Sequence, residues 1–75
     1  MKENITLYEL LNSYEDVIKF KLSKKLKIYA VIPTAENYSI VKTEEYYLSE
    51  VPLRLLSSRV INIDYDDNWI EVLKE

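Results

Sequence analysis

The chain contains no glycine. Every backbone position with φ > 0 must therefore be filled by a residue that carries a side chain, and Asn and Asp tolerate that region best. Tight turns become few and identifiable, and Asn37 and Asn68 are the residues expected to adopt positive φ. The same absence removes the glycine-rich phosphate loops and the dinucleotide fingerprint. Cys and His are missing as well. That leaves no disulfide frame, no thiolate nucleophile, no imidazole base and no Cys or His metal ligand. No catalytic residue, metal or cofactor is expected, and the chain reads as a non-enzyme. At 75 residues it reads as one domain, because a second would have too little chain for its own core.

The first pattern is helical. Thr6 and Glu9 form a Thr-x-x-Glu capping box, Ile5 and Leu10 are placed for a hydrophobic staple, and Leu7, Leu10 and Leu11 share a face before Asn12 and Ser13 end the helix. The period then changes to two. Ile18, Phe20 and Leu22 alternate with Lys19 and Lys21, which predicts a strand. Ser23, Lys24 and Lys25 predict a turn, and Leu26, Ile28, Ala30 and Ile32 predict a second strand that folds back as a hairpin and stops at Pro33. A third strand is expected over Tyr38–Thr43. Pro52 suits the first position of a second helix capped by Ser49, with Leu53, Leu55 and Leu56 as its apolar face. Val60–Tyr65 and Trp69–Leu73 close the chain as two strands around Asp66-Asp67-Asn68. The expected order is α-β-β-β-α-β-β: an α+β domain with a small antiparallel sheet of about five strands and two short helices.

Two stretches, Leu7-Tyr8-Glu9-Leu10-Leu11-Asn12 and Val51-Pro52-Leu53-Arg54-Leu55-Leu56 followed by Val60-Ile61-Asn62-Ile63, together with the acidic turn and apolar last strand, resemble short, mostly uncharacterised proteins. Those proteins are encoded by phages, prophages and integrative elements of Gram-positive bacteria. The likeness covers the two ends of the chain and little of residues 24–47. It implies a mobile-element setting, where small acidic proteins inhibit host defence nucleases or regulate transcription, and it transfers no site residue.

Charge is unevenly distributed. Residues 1–43 carry seven Lys against five acids, and residues 44–75 carry three basic residues against eight acids, within a net charge of −3. The acids come with aromatics. Glu44, Glu45, Tyr46, Tyr47, Asp66, Asp67 and Trp69 form the expected partner-binding set, with carboxylates to steer a basic partner and rings to anchor it. The ordinary account of each is a helix-dipole or half-buried sheet position. The alternative site is a basic hairpin in which Lys19, Lys21 and Lys27 share a face with Tyr29, and Lys24 and Lys25 lie at the turn. It could track a nucleic-acid backbone, although the acidic whole disfavours that partner and lysines commonly guard an exposed strand. Asp64-x-Asp66-x-Asn68 copies part of a calcium loop, but Trp69 stands where glycine makes the sharp turn, so a plain hairpin is expected.

These readings converge on a small binding protein of a phage or mobile element in the host bacterium's cytoplasm. Its most concrete form is an anti-CRISPR-like inhibitor that blocks the nucleic-acid channel of a host effector nuclease. A regulatory or accessory protein that binds nucleic acid through the basic hairpin is the alternative, and so is a homodimer: Trp69 and Leu73 alternate away from Ile70 and Val72, so one set needs a cover. No membrane partner is expected, because no apolar run approaches the roughly 18 residues of a span.

Overall fold

A computed structural model describes residues 5–74. Helix α1 (Leu7–Leu11) starts as its sequence dictates. The Glu9 amide donates to Thr6 Oγ1 (3.2 Å) and the Thr6 amide donates to Glu9 Oε1 (2.9 Å), which completes the capping box. Leu7 and Leu10 are buried, and Asn12 caps the far end. A second helical turn, α2 (Tyr14–Val17), follows at once.

Residues 18–22, expected as a strand, are instead a chain of tight turns running out of α2. The Lys19 amide donates to the Asp16 carbonyl and the Phe20 amide to that of Val17. Only Phe20 is buried; Ile18 and Leu22 are exposed. Alternation here marks one inward side chain between two outward ones, and the next strand in the chain has no free side to pair with this segment.

The reason is the topology. Strands β1 (Leu26–Pro33), β2 (Tyr38–Tyr46), β3 (Val60–Asp64) and β4 (Trp69–Leu73) form one sheet in the order β2-β1-β4-β3. Both edges of β1 are occupied. It pairs antiparallel with β2, from Leu26 against Tyr46 to Pro33 against Tyr38, and parallel with β4, from Lys27 against Trp69 to Val31 against Leu73. The expected five-stranded antiparallel sheet is therefore a four-stranded mixed sheet with one parallel pair. The β3–β4 hairpin is antiparallel, as read from the sequence. The α+β class stands.

A 3₁₀ turn (Leu48–Glu50) and a short helix α3 (Leu53–Leu56) connect β2 to β3. Pro52 is the N-cap of α3 rather than its first residue, and Ser49 lies in the 3₁₀ turn instead of capping. Of the three leucines expected to face inward, Leu55 is buried, Leu56 is half-buried and Leu53 is 84% exposed. A four-residue helix turns too little to bury all three.

Leu26, Ile28, Ile70, Val72 and Val60 pack against Leu7, Leu10, Phe20 and Leu55 to form the core. All of these strand residues lie on one face of the sheet. The described residues thus form two layers, with the helices packed over one sheet face and no described helix over the other. Both edge strands are bulged, β2 at Val41 and β3 at Ile61, each being the residue skipped where the register shifts. Such bulges twist an edge away from unwanted pairing. No helix among the described residues is long and apolar enough to cross a membrane.

The turn between β3 and β4 is set by Asn68, with φ 58° the one positive-φ residue among those described. Asn37 does not share this conformation. Its amide instead donates to Thr34 Oγ1 (3.1 Å), while the Thr34 amide donates to the Asn37 carbonyl (2.8 Å). Among the described residues Asn68 is also the one buried polar side chain, 3% exposed. Its Oδ1 accepts from the Lys21 amide (2.7 Å), and its Nδ2 donates to the carbonyls of Lys21 (3.2 Å), Lys24 and Lys25 (both 3.4 Å). Its own carbonyl accepts from the Lys27 amide (3.0 Å). One residue shapes the turn and ties the 18–25 segment to the sheet.

Candidate binding surface

Side chains alternate across a strand, so the residues between the core positions define the uncovered face. On β1 these are Lys27, Tyr29 and Val31; on β4 they are Trp69, Glu71 and Leu73. Register adds Glu45 beside Lys27, Thr43 beside Tyr29 and Ile40 beside Val31 from β2. From β3 it adds Asp64 beside Trp69 and Asn62 beside Glu71. The centre is apolar. Tyr29 and Trp69 meet edge to face, with centroids 5.7 Å apart and planes at 70°. Val31 is fully buried, while Leu73 is half-buried and Ile40 is 52% exposed. Around this centre stand three carboxylates, Glu45, Asp64 and Glu71, and the ammonium of Lys27, while Arg59 lies opposite Leu73 at the end of the face.

The expected partner-binding set divides along these lines. Glu45 and Trp69 belong to the uncovered face. Glu44 and Tyr46 point the other way, because they pair with Ile28 and Leu26 on the core side. There Glu44 receives Arg54 through both guanidinium nitrogens, accepts from the Tyr46 hydroxyl and pairs with Lys42 at 3.7 Å. The bond from Arg54, then that from Tyr46, holds the Glu44 carboxyl down at about 2, against the weaker upward push of burial. The same carboxylate raises the Tyr46 phenol above its ordinary value. This trio staples α3 to β2. Tyr47 lies beneath Lys25, whose ammonium is 5.6 Å from the ring centroid. Asp66 and Asp67 occupy the exposed β3–β4 turn, where the Asp67 amide donates to Asp64 Oδ1 (3.0 Å). The seven residues do not form one patch.

The basic hairpin does not exist as a unit, since its first strand is absent. Lys27 and Tyr29 lie on the uncovered face, whereas Lys19, Lys21, Lys24 and Lys25 lie in the segment before β1. Lys19 pairs with Asp16 (3.9 Å) and lies 5.2 Å above the Tyr65 ring. Lys21 donates its ammonium to the Asp66 carbonyl. The Tyr65 ring packs against Phe20 at 4.8 Å, and burial first, then Asp16, raises its phenol above the ordinary value.

Two shallow clefts open on the helical side. One, of about 200 Å³, is bounded by Lys42, Glu44, Arg54, Ser57, Ser58 and Lys74 over Ala30 and Val72; the other, of about 430 Å³, lies between Ile5, Leu10, Asp16, Lys19, Ile63 and Tyr65. Among the described residues no group of three or more acidic side chains is arranged to hold a metal ion.

Tyr29, grouped in the sequence with the lysines of the first hairpin, stands in the structure beside Trp69 as well as on the face of Lys27. Its partnership with Trp69 and Glu71 arises from the parallel β1–β4 pair, whose strands are separated by 35 residues. The alternation of Trp69 and Leu73 against Ile70 and Val72 was the available signal, and it marked half of the face. No protein-family model, no curated protein sequence and no solved structure matches this chain.

Proposed function

We propose that the protein is a non-enzymatic binding module that works by laying its uncovered sheet face on a basic surface of a partner protein. The observation that carries this reading is the Tyr29–Trp69 pair at the centre of a face that no helix covers, ringed by Glu45, Asp64 and Glu71. Rings on a rigid sheet supply contact area at small entropic cost, and surrounding carboxylates steer a positively charged partner. In its most concrete form the partner is a host defence nuclease, and the carboxylates occupy the channel that otherwise holds nucleic-acid phosphates. The mobile-element resemblance supports that form.

The test is cleavage of a DNA target by a purified RNA-guided nuclease from a Gram-positive host, with increasing amounts of this protein at low and high salt. Wild type inhibits, and inhibition weakens as salt rises. A Trp69→Ala, Glu71→Lys double variant that remains folded loses inhibition, whereas Tyr8→Ala on the helical side retains it. Equal inhibition by wild type and the double variant would remove the proposal.

A further inference from the structure

We infer that the corner formed by Tyr29 and Trp69 is a receptor for an arginine side chain presented by the partner. The inference rests on the proposed binding role of this face and names the chemical group it takes. Two rings at 70° present two differently oriented walls rather than one flat one. A cation placed against such walls is attracted by the ring faces, most strongly by that of Trp. Carboxylates stand on two sides of the corner. Glu71 is beside Tyr29 across the parallel pair, and Asp64 is beside Trp69 across the hairpin. Trp69 and Glu71 share a face two residues apart on β4, which places them about 7 Å from each other along the strand.

That spacing favours a planar, forked group. A guanidinium can lie against a ring and still direct N–H groups toward carboxylates on either side, whereas an ammonium is a point charge that reaches fewer of them at once. The molecule already places lysines over rings elsewhere, Lys19 over Tyr65 and Lys25 over Tyr47. Among the described residues neither ring of the Tyr29–Trp69 pair carries such a cation. With Glu71, Asp64 and Glu45 around it against Lys27, and Arg59 farther off beside Leu73, the corner is complementary to a cation from outside.

Trp69 is the chain's one tryptophan, so its fluorescence reports directly on the corner. The probe is an acetylated, amidated tetra-arginine peptide, titrated into the intact protein at fixed ionic strength beside a tetra-lysine peptide. Saturable change in Trp69 emission is expected, with at least threefold tighter binding of the arginine peptide. Glu71→Gln, a near-isosteric change at a half-buried position outside the core, weakens arginine binding about fivefold or more. The Asp66→Asn, Asp67→Asn variant, which loses more charge away from the corner, changes it less than twofold. Equal binding of the two peptides, no emission change, or equal losses in the two variants would overturn the inference. Should the peptides bind equally while Trp69→Ala, Glu71→Lys still abolishes nuclease inhibition, the arginine receptor falls and the proposed function stands.

Discussion

Asn68 performs two separable tasks, and substitutions can divide them. Its φ of 58° lies where a β-carbon costs energy, and its side chain makes four polar contacts with the 18–25 segment. Asn68→Gly keeps the conformation and removes the side-chain bonds. A hydrogen bond contributes roughly 1 kcal/mol net, more where its partner is left unsatisfied, so two good bonds and two long ones amount to about 2–3 kcal/mol. Asn68→Ala loses the same bonds and adds about 1 kcal/mol for the left-handed backbone, for a total of about 3–4 kcal/mol. Asn68→Asp keeps the acceptor for the Lys21 amide but turns a second oxygen toward the carbonyls of Lys21, Lys24 and Lys25. It should be at least as harmful as Ala at pH 7 and recover partly in acid, where a protonated carboxyl can donate. A domain of this size is expected to have only about 4–11 kcal/mol of total stability, so these are large fractions. Urea unfolding followed by the adjacent Trp69 measures them. The predicted stability order is wild type, then Gly, then Ala. An Ala variant within about 0.5 kcal/mol of wild type, or a Gly variant no better than Ala, would refute the reasoning.

Other consequences follow from the same structure. Glu44 has a folded-state pKa of about 2, below its ordinary 4.5, so its contribution is fully present above about pH 4.5 and is lost as pH falls through about 2. Arg54 is half exposed, which limits the pair to about 1 kcal/mol at neutral pH; melting curves of Glu44→Gln should lie below wild type at pH 7 and converge with it near pH 2. Thr6→Ala removes the capping oxygen from the Glu9 amide and should cost about 1 kcal/mol in urea unfolding. Leu10→Ala should cost about 2–5 kcal/mol because Leu10 is 1% exposed in the core, whereas Leu53→Ala, at 84% exposure, should change stability by less than about 0.5 kcal/mol.

Local chemistry was legible in the sequence, and long-range pairing was not. Thr6 and Glu9 meet because the bonds they make lie within one helical turn, and Asn68 adopts positive φ because no glycine was available to do so. The bounds of β4 are those read from alternation, and β3 ends one residue early because Tyr65 turns to pack on Phe20. Residues 18–22 show the limit. Alternation reports which side chains point inward, and Phe20 does, but it does not report whether a neighbouring strand has a free edge. The β1–β4 pair is parallel because the chain passes through β2, α3 and β3 before returning, a fact carried by no local pattern. Glu44 and Glu45 looked equivalent by adjacency, yet they point to opposite faces: one is spent on Arg54 and the other remains on the uncovered sheet. The makeup of the uncovered face was therefore half visible: alternation put Trp69 on it and Tyr29 beside Lys27, but only the parallel pair brings Tyr29 to Trp69.

The central claim is that the helix-free face is the one a partner covers. Hydroxyl-radical footprinting of the tyrosine and tryptophan side chains, with and without the nuclease of the proposed function, tests it directly. Protection concentrated at Tyr29 and Trp69, with Tyr8 and Tyr14 on the helical side unchanged, is the predicted result. Protection of Tyr8 and Tyr14 while Tyr29 and Trp69 react as in the free protein would contradict it.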